Sequence, residues 1–163
     1  MKTLKILLVL AIGLMIQSCS KEKKLERQVE KKGCLGGGVV GYVVDECTLT
    51  IPNIISVNGD GVNEMFSITV HNLSEDDTII ERLIITHNGG ALMDNNTRVW
   101  QPIRSIVDEG FYTYRYRGSI NGETFDLQGD FTLVKYQRAI KKCEQCITVY
   151  GNSIANDPGL SCK

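Results

Sequence analysis

Residues 58–64 hold a run of oxygen donors that could bind a metal ion. The run reads Asn-Gly-Asp-Gly-Val-Asn-Glu. Its donors would be the side chains of Asn58, Asp60 and Glu64 and the carbonyl group of Val62, and Ca²⁺ prefers oxygen donors of these kinds. Only two of them are charged, so an ion would also need water or ligands from elsewhere. We expect a turn capped by its own side chains, with calcium as a candidate cofactor in the alternative.

The N-terminus has the pattern of a bacterial lipoprotein signal. Lys2 and Lys5 precede an apolar run at residues 6–16, which is too short to span a bilayer as a helix. The sequence Ile-Gln-Ser-Cys then ends at Cys19 and resembles a lipobox, in which the cysteine is acylated and becomes the new N-terminus. We therefore predict a signal peptide at residues 1–18. A lipid on Cys19 would bind the protein to the outer membrane or the cell surface.

The remaining cysteines are candidates for disulfide bonds, because a signal peptide leads to an oxidising compartment. The candidates are Cys34, Cys47, Cys143, Cys146 and Cys162. We expect a Cys34–Cys47 bridge and a second bridge from Cys162 to Cys143 or Cys146. A bond from Cys47 to the Cys143 region is the alternative. The Cys-x-x-Cys spacing at residues 143–146 also occurs in redox and zinc sites, but no βαβ pattern or nearby histidine accompanies it.

The sequence predicts no catalytic residues. His71 and His87 are isolated, and no Ser-His-Asp spacing, glycine-rich phosphate loop or paired-histidine metal motif is present. From residue 34 onward, ten Lys and Arg stand against sixteen Asp and Glu. This acidic balance argues against a nucleic-acid partner, which would require a basic face. We therefore expect no enzymatic activity, no small-molecule substrate and no nucleic-acid binding.

The chain beyond the signal peptide divides into three parts. We expect residues 19–46 to form the lipid anchor and a tether, whose charged part at residues 20–33 can bury little apolar surface. Residues 39–44 are β-prone and could add a leading strand. Residues 47–137 consist of short alternating runs separated by Gly, Asn and Asp, which predicts an all-β domain. The predicted turns include hairpins at residues 88–90 and at Asn121-Gly122 and a further turn at residues 128–130. Residues 138–163 form a C-terminal tail that contains three of the cysteines.

The spacing of residues 108–112 indicates a specific kind of all-β domain. Asp-x-Gly-x-Tyr marks the tyrosine corner of immunoglobulin-like sandwiches, in which the phenol of the last residue, here Tyr112, bonds to upstream backbone. We predict an immunoglobulin-like antiparallel β-sandwich of about seven strands. Tyr112, Tyr114 and Tyr116 would share one face of a strand. We expect that face to lie in the core, with a ligand platform as the alternative.

The domain resembles the gliding-motility-associated C-terminal domain, also called the type B sorting domain of type IX secretion. The likeness covers residues 47–137 and implies structural roles for Phe66, Trp100 and Tyr112. The matching residues are Pro52-Asn53, the loop 58–63, Phe66, Trp100, residues 110–114 and residues 129–133. The chain departs from that family in having Gln101-Pro102 after Trp100 and a tail after the domain.

These observations together predict a non-enzymatic cell-envelope lipoprotein. Its sorting-domain-like sandwich would bind envelope or secretion-system proteins in type IX secretion, gliding motility or surface assembly. One alternative is a secreted cargo whose domain serves as the secretion signal. Another is an envelope enzyme or inhibitor that uses the Tyr112–Tyr116 face.

Metabolic labelling tests the predicted lipid anchor. A labelled fatty-acid precursor should be incorporated into the wild-type protein and not into the variant Cys19→Ala, because acylation requires this thiol. Absence of label from the wild type, or equal label on both proteins, would contradict the lipoprotein hypothesis.

Overall fold

A computed structural model of the chain describes residues 41–136, 138–140, 146 and 160–162, and for 138–140 and 160–162 it describes the backbone alone. The predicted signal peptide, Cys19, the tether up to residue 40, Cys34 and Cys143 lie outside these residues. The described residues form strands, turns and loops, which confirms the all-β prediction. They contain no helix with the length and apolar character needed to cross a membrane.

The described strands are short except for three long ones in the middle of the chain. In chain order they are β1 (Gly41–Val44), β2 (Cys47–Thr50), β3 (Ile54–Ser56), β4 (Phe66–Ser67), β5 (Thr69–His71), β6 (Ile79–His87), β7 (Gly90–Asn95), β8 (Val99–Trp100), β9 (Gly110–Ile120), β10 (Glu123–Val134), β11 (Arg138–Ile140) and β12 (Leu160–Cys162). The structure has more strands than the seven predicted. One reason is that residues 66–71, which alternate in the sequence as a single run, form two strands, β4 and β5, separated at Ile68.

The larger sheet contains five strands in the order β3-β10-β9-β6-β7. The β9–β10 hairpin turns at Asn121-Gly122, as its sequence predicts, and both residues have positive φ. Three pairs in this sheet are antiparallel, whereas β3 runs parallel to β10. The sheet is therefore mixed. The chain passes from β2, which belongs to another sheet, to β3 in this one.

Smaller sheets supply strands that pack on this one. One has the order β1-β2-β5 and another pairs β4 with β8. The N–H of Ile68, between β4 and β5, donates to the Arg98 carbonyl at 3.0 Å, just before β8. Leu49, Phe66 and Ile68 from these strands share one buried cluster with Leu83 and Tyr112 of the larger sheet. The hydrophobic core therefore lies between two layers of strands, as in a β-sandwich.

The three tyrosines of β9 point into this core. Tyr112, Tyr114 and Tyr116 are all buried, with exposed fractions of 0%, 3% and 0%. Because they lie inside the core, the alternative of a ligand platform on this face is wrong. Burial raises the pKa of Tyr112 and of Tyr114 to about 12.

The hydroxyl groups of these tyrosines have different surroundings. The Tyr112 hydroxyl donates to the Asp108 carbonyl at 2.5 Å, the upstream bond that the tyrosine-corner spacing predicts. The Tyr116 hydroxyl donates to Oε2 of Glu81 at 2.6 Å. The Tyr114 hydroxyl is buried without a hydrogen-bond partner among the described residues.

The turn predicted at residues 128–130 is wrong, because β10 continues through it. Gly129 lies opposite Tyr114 in the β9–β10 register. A Cβ atom added to Gly129 would lie 2.7 Å from the Tyr114 hydroxyl oxygen, which is closer than atoms can pack. This glycine therefore makes room for a tyrosine side chain and does not mark a turn.

Tyr112→Phe and Tyr114→Phe make the same chemical change at two buried sites and should differ in effect. Tyr112→Phe should lower the free energy of unfolding by about 1 kcal/mol, because the Asp108 carbonyl loses its donor. Tyr114→Phe should leave stability unchanged or raise it slightly, because it removes a buried hydroxyl without a described partner. Urea denaturation of both variants measures the difference. Equal losses would contradict the roles assigned to the two hydroxyl groups.

Candidate functional site

The candidate site is the loop between β3 and β4, which we call the 58–64 loop. Two backbone hydrogen bonds at its base fix where it begins. The Val57 N–H donates to the Val134 carbonyl at the end of β10 at 2.7 Å, and the Ser56 N–H donates to the Asn63 carbonyl at 2.9 Å. The Ser56 hydroxyl also donates to the Val62 carbonyl at 3.2 Å. The base is therefore attached to the larger sheet, while Gly59, Asp60 and Gly61 at the tip are exposed.

The side chains of the loop hold its own backbone in place. The Asp60 N–H donates to Oδ1 of Asn58 at 3.0 Å, and the Val62 N–H donates to Oδ1 of Asp60 at 2.8 Å. These are two successive Asx turns. The Asn58 amide also donates to Oδ2 of Asp60 at 2.7 Å, and the Gly59 N–H donates to Oε1 of Glu64.

The residue types suit the backbone conformation of this loop. Gly59 and Gly61 have φ of 90° and 80°, which glycine adopts at little cost, and Asn63 has φ of 54°. Asparagine is among the few other residues that tolerate this region. The two turn dipeptides, Asn58-Gly59 and Asp60-Gly61, therefore account for the tight turns of this loop.

Arg104 connects the loop to a second exposed segment. Its guanidinium donates to the Asn58 carbonyl at 2.9 Å and lies 5.5 Å from the centre of the Tyr136 ring, within the range of a cation–π contact. The Lys135 ammonium donates to the Val107 carbonyl at 2.8 Å. A cleft of about 300 Å³ lies between these groups and is lined by Asn58, Gly59, Asp60, Arg104, Lys135 and Tyr136.

This geometry corresponds to the capped turn that the sequence predicts, to which a calcium site was the alternative. The oxygen atoms of Asn58, Asp60, Val62 and Glu64 that were the candidate ligands each accept a hydrogen bond from the loop or its base. The described residues also contain no group of three or more His, Cys, Asp or Glu side chains placed to hold a metal ion. The loop offers only two charged donors, Asp60 and Glu64, so the donor set fits this ion poorly.

The cysteines differ from prediction at one position. Cys47, at the start of β2, is a free cysteine whose side chain is buried in the core, so the predicted Cys34–Cys47 bridge and its alternative are both wrong. Its thiol lies 3.8 Å from the Asn72 carbonyl. Burial raises the pKa of this thiol, and Asp77 adds to the shift, which makes the thiolate scarce. Cys146 is disulfide-bonded, and bridging was predicted for it.

Both histidines lie on strands, His71 at the end of β5 and His87 at the end of β6, next to the turn at residues 88–89. His71 in β5 is exposed, and its Nε2 lies 3.1 Å from the Thr50 hydroxyl. Nδ1 of His87 lies 2.8 Å from the Phe111 carbonyl, and its ring stacks on Tyr112 at 4.2 Å between centroids. Both imidazoles therefore have structural contacts.

Sequence reasoning missed the role of the arginines. The sequence does not indicate the contact of Arg104 with the loop, because Arg104 comes 46 residues after its acceptor, the Asn58 carbonyl. The alternation of β9 places Arg115 and Arg117 on the face opposite the three tyrosines. Which acidic residues of the adjacent strands lie beside them depends on strand register, and the sequence alone does not give that register.

No protein-family model, no curated protein and no solved structure matches this chain.

Asp60→Ala separates a capped turn from a calcium site. The variant should lose about 1 kcal/mol of unfolding free energy, because the Val62 N–H and the Asn58 amide lose an acceptor. The loss should be equal in millimolar calcium and in chelator, and the wild-type midpoint should not depend on calcium.

Asp76→Ala is the matched control for this measurement. It removes an exposed carboxylate outside the loop and should change stability by less than about 0.5 kcal/mol. A wild-type midpoint that rises with calcium, with the rise absent in Asp60→Ala, would contradict the capped-turn interpretation.

Proposed function

We propose that this chain is a lipid-anchored protein of the bacterial cell envelope that acts by binding another protein through its 58–64 loop. The supporting observation is that the tip of this loop is exposed and yet held in one conformation by Asn58, Asp60 and Glu64. A loop ordered before binding does not lose that conformational freedom on binding, so more of the contact energy appears as affinity.

The type B sorting domain of type IX secretion is our proposal for the kind of domain. Several of the residues that match the sorting-domain family contact one another in the structure. Phe66 pairs with Trp100 in the β4–β8 register, and the Trp100 and Tyr112 ring centroids are 5.7 Å apart. Phe66 also contacts Phe131 at 4.4 Å between centroids. These contacts give the shared aromatic residues a common structural role, which supports the resemblance.

An immunoglobulin-like arrangement is the finer fold assignment that we propose. The parallel pairing of the early strand β3 with the late strand β10 resembles sandwiches in which the first strand divides between two sheets. The Tyr112–Asp108 bond gives further support, because it has the geometry of a tyrosine corner.

The partner that this proposal implies is a protein of the envelope or of the secretion machinery. The lipid on Cys19 would keep the domain at the outer membrane or the cell surface, and the charged tether would let the domain reach a membrane-bound partner.

Crosslinking in intact membranes, with the lipid anchor in place, tests the proposal. The wild-type protein and Asp76→Ala should capture the same partner, and Asp60→Ala should capture at least about fivefold less, because the loop loses its shape. All three proteins should be compared below their unfolding midpoints. Equal capture by all three would contradict a role for the loop, and release of unlipidated protein into the medium would favour the cargo alternative.

A further inference from the structure

We propose that the outer face of strands β6, β7, β9 and β10 carries a second binding site, which takes a single carboxylate side chain, flanked by apolar residues, from an extended segment of a partner protein. Arg117 would be the group that binds the carboxylate. The site consists of residues other than those of the 58–64 loop, so it does not depend on the function proposed for that loop.

Two ion pairs define this face. Arg82 donates from Nε and a terminal nitrogen to the two oxygens of Asp94, at 2.6 and 2.7 Å. Arg115 donates to the two oxygens of Asp126 in the same two-pronged manner, with Nε at 2.8 Å from Oδ1. Each of these arginines uses the planar fork that matches a carboxylate.

Arg117 lies between these two pairs. In the sheet register it stands opposite Asp126 on one side and opposite Arg82 on the other. Its charge lowers the pKa of both Asp94 and Asp126, after the larger effects of their own arginine partners. It makes no hydrogen bond to any residue that the structure describes, and its donors remain available.

The charges immediately around Arg117 do not cancel. Three arginines share two aspartates, which leaves one positive charge at Arg117. The next acidic residue on this face of β10 is Asp130, four residues beyond Asp126 and roughly 13 Å away along the strand. A single unbalanced charge suits one carboxylate. A polyanion is disfavoured, because its additional charges would meet Asp94 and Asp126.

The surroundings of Arg117 provide further contacts for a ligand. A cleft of about 730 Å³ includes Arg82, Arg117, Asn96 and Ile80 in its walls, together with the carboxylates of Glu81 and Asp126. Glu81 accepts a hydrogen bond from Tyr116 and lies 3.8 Å from Arg98, and Asp126 is paired with Arg115, so each of these carboxylates has its own partner. Ile80 is 67% exposed, so it offers an apolar contact beside the charge. The Asn96 side chain supplies an amide donor and an acceptor. This combination suits a glutamate or aspartate flanked by apolar residues in an extended peptide.

A ligand-observed NMR titration of the full chain in detergent micelles tests this site. The probe is the blocked peptide acetyl-Gly-Leu-Glu-Leu-Gly-amide, and its control has Gln in place of Glu. The wild-type protein should bind the Glu peptide at least about tenfold more tightly than the Gln peptide, because only the carboxylate pairs with the guanidinium.

Three variants locate the binding. Arg117→Gln should reduce affinity for the Glu peptide to that for the Gln peptide. Arg117→Lys should weaken it by about fivefold, because lysine keeps the charge but lacks the fork. The matched control Arg104→Gln makes the same charge change at the 58–64 loop and should bind the Glu peptide as the wild type does.

Several outcomes would overturn the proposal. One is wild-type affinity in Arg117→Gln, and another is an equal loss in Arg104→Gln, which would indicate a response to net charge alone. A third is Arg117-dependent binding of heparin, used as a polyanion probe, without binding of the Glu peptide. Thermal unfolding confirms that each variant is folded, and Arg117→Lys decides the result if Arg117→Gln is not. Because the peptide replaces the partner, failure here leaves the crosslinking test of the 58–64 loop unaffected.

Discussion

The packing of Tyr112 against Phe131 is the interaction on which the rest of the structure depends. The two residues lie opposite each other in the β9–β10 register, with ring centroids 5.4 Å apart. Trp100, from the other layer, contacts both rings at 5.7 and 6.1 Å. Aromatic side chains bury large areas and have preferred mutual geometries, so this cluster fixes the separation and alignment of the two layers.

The same packing determines what the outer face of the sheet presents. Successive side chains in a strand point to opposite faces, so burial of Tyr112, Tyr114 and Tyr116 directs Arg115 and Arg117 outward. A shift of register by one residue would bury the arginines and expose the tyrosines, at a large cost in desolvation. The ion pairs on the outer face are therefore a consequence of the core.

Much of this fold could be predicted from the sequence, because the signals were local. Alternation located the strands, and Asn-Gly dipeptides located the hairpin turns at residues 88–89 and 121–122. The turn predicted at Gly129 was wrong, because this glycine makes room for the Tyr114 side chain on the neighbouring strand. The disulfide bond predicted for Cys47 was also wrong, because the sequence does not distinguish a buried free thiol from a bridged cysteine.

The candidate sites differ in predictability for the same reason. The 58–64 loop was recognisable because its hydrogen bonds join residues only two to five positions apart. The pairing of Arg82 with Asp94 and of Arg115 with Asp126 spans eleven or twelve positions and requires the register of four strands, β6, β7, β9 and β10.

This contrast bears on how the two sites would respond to mutation. Most of the bonds that shape the 58–64 loop are internal, and the sheet contributes through the Val57–Val134 bond at its base. Substitutions in the distant core should therefore leave its conformation largely intact as long as β10 holds its place. The position of Arg117 between two aspartates exists only while β6, β7, β9 and β10 keep their alignment. A core substitution that loosens Tyr112 or Phe131 would disturb the arginine face first, because its charges are positioned by strand register and by nothing within their own segment.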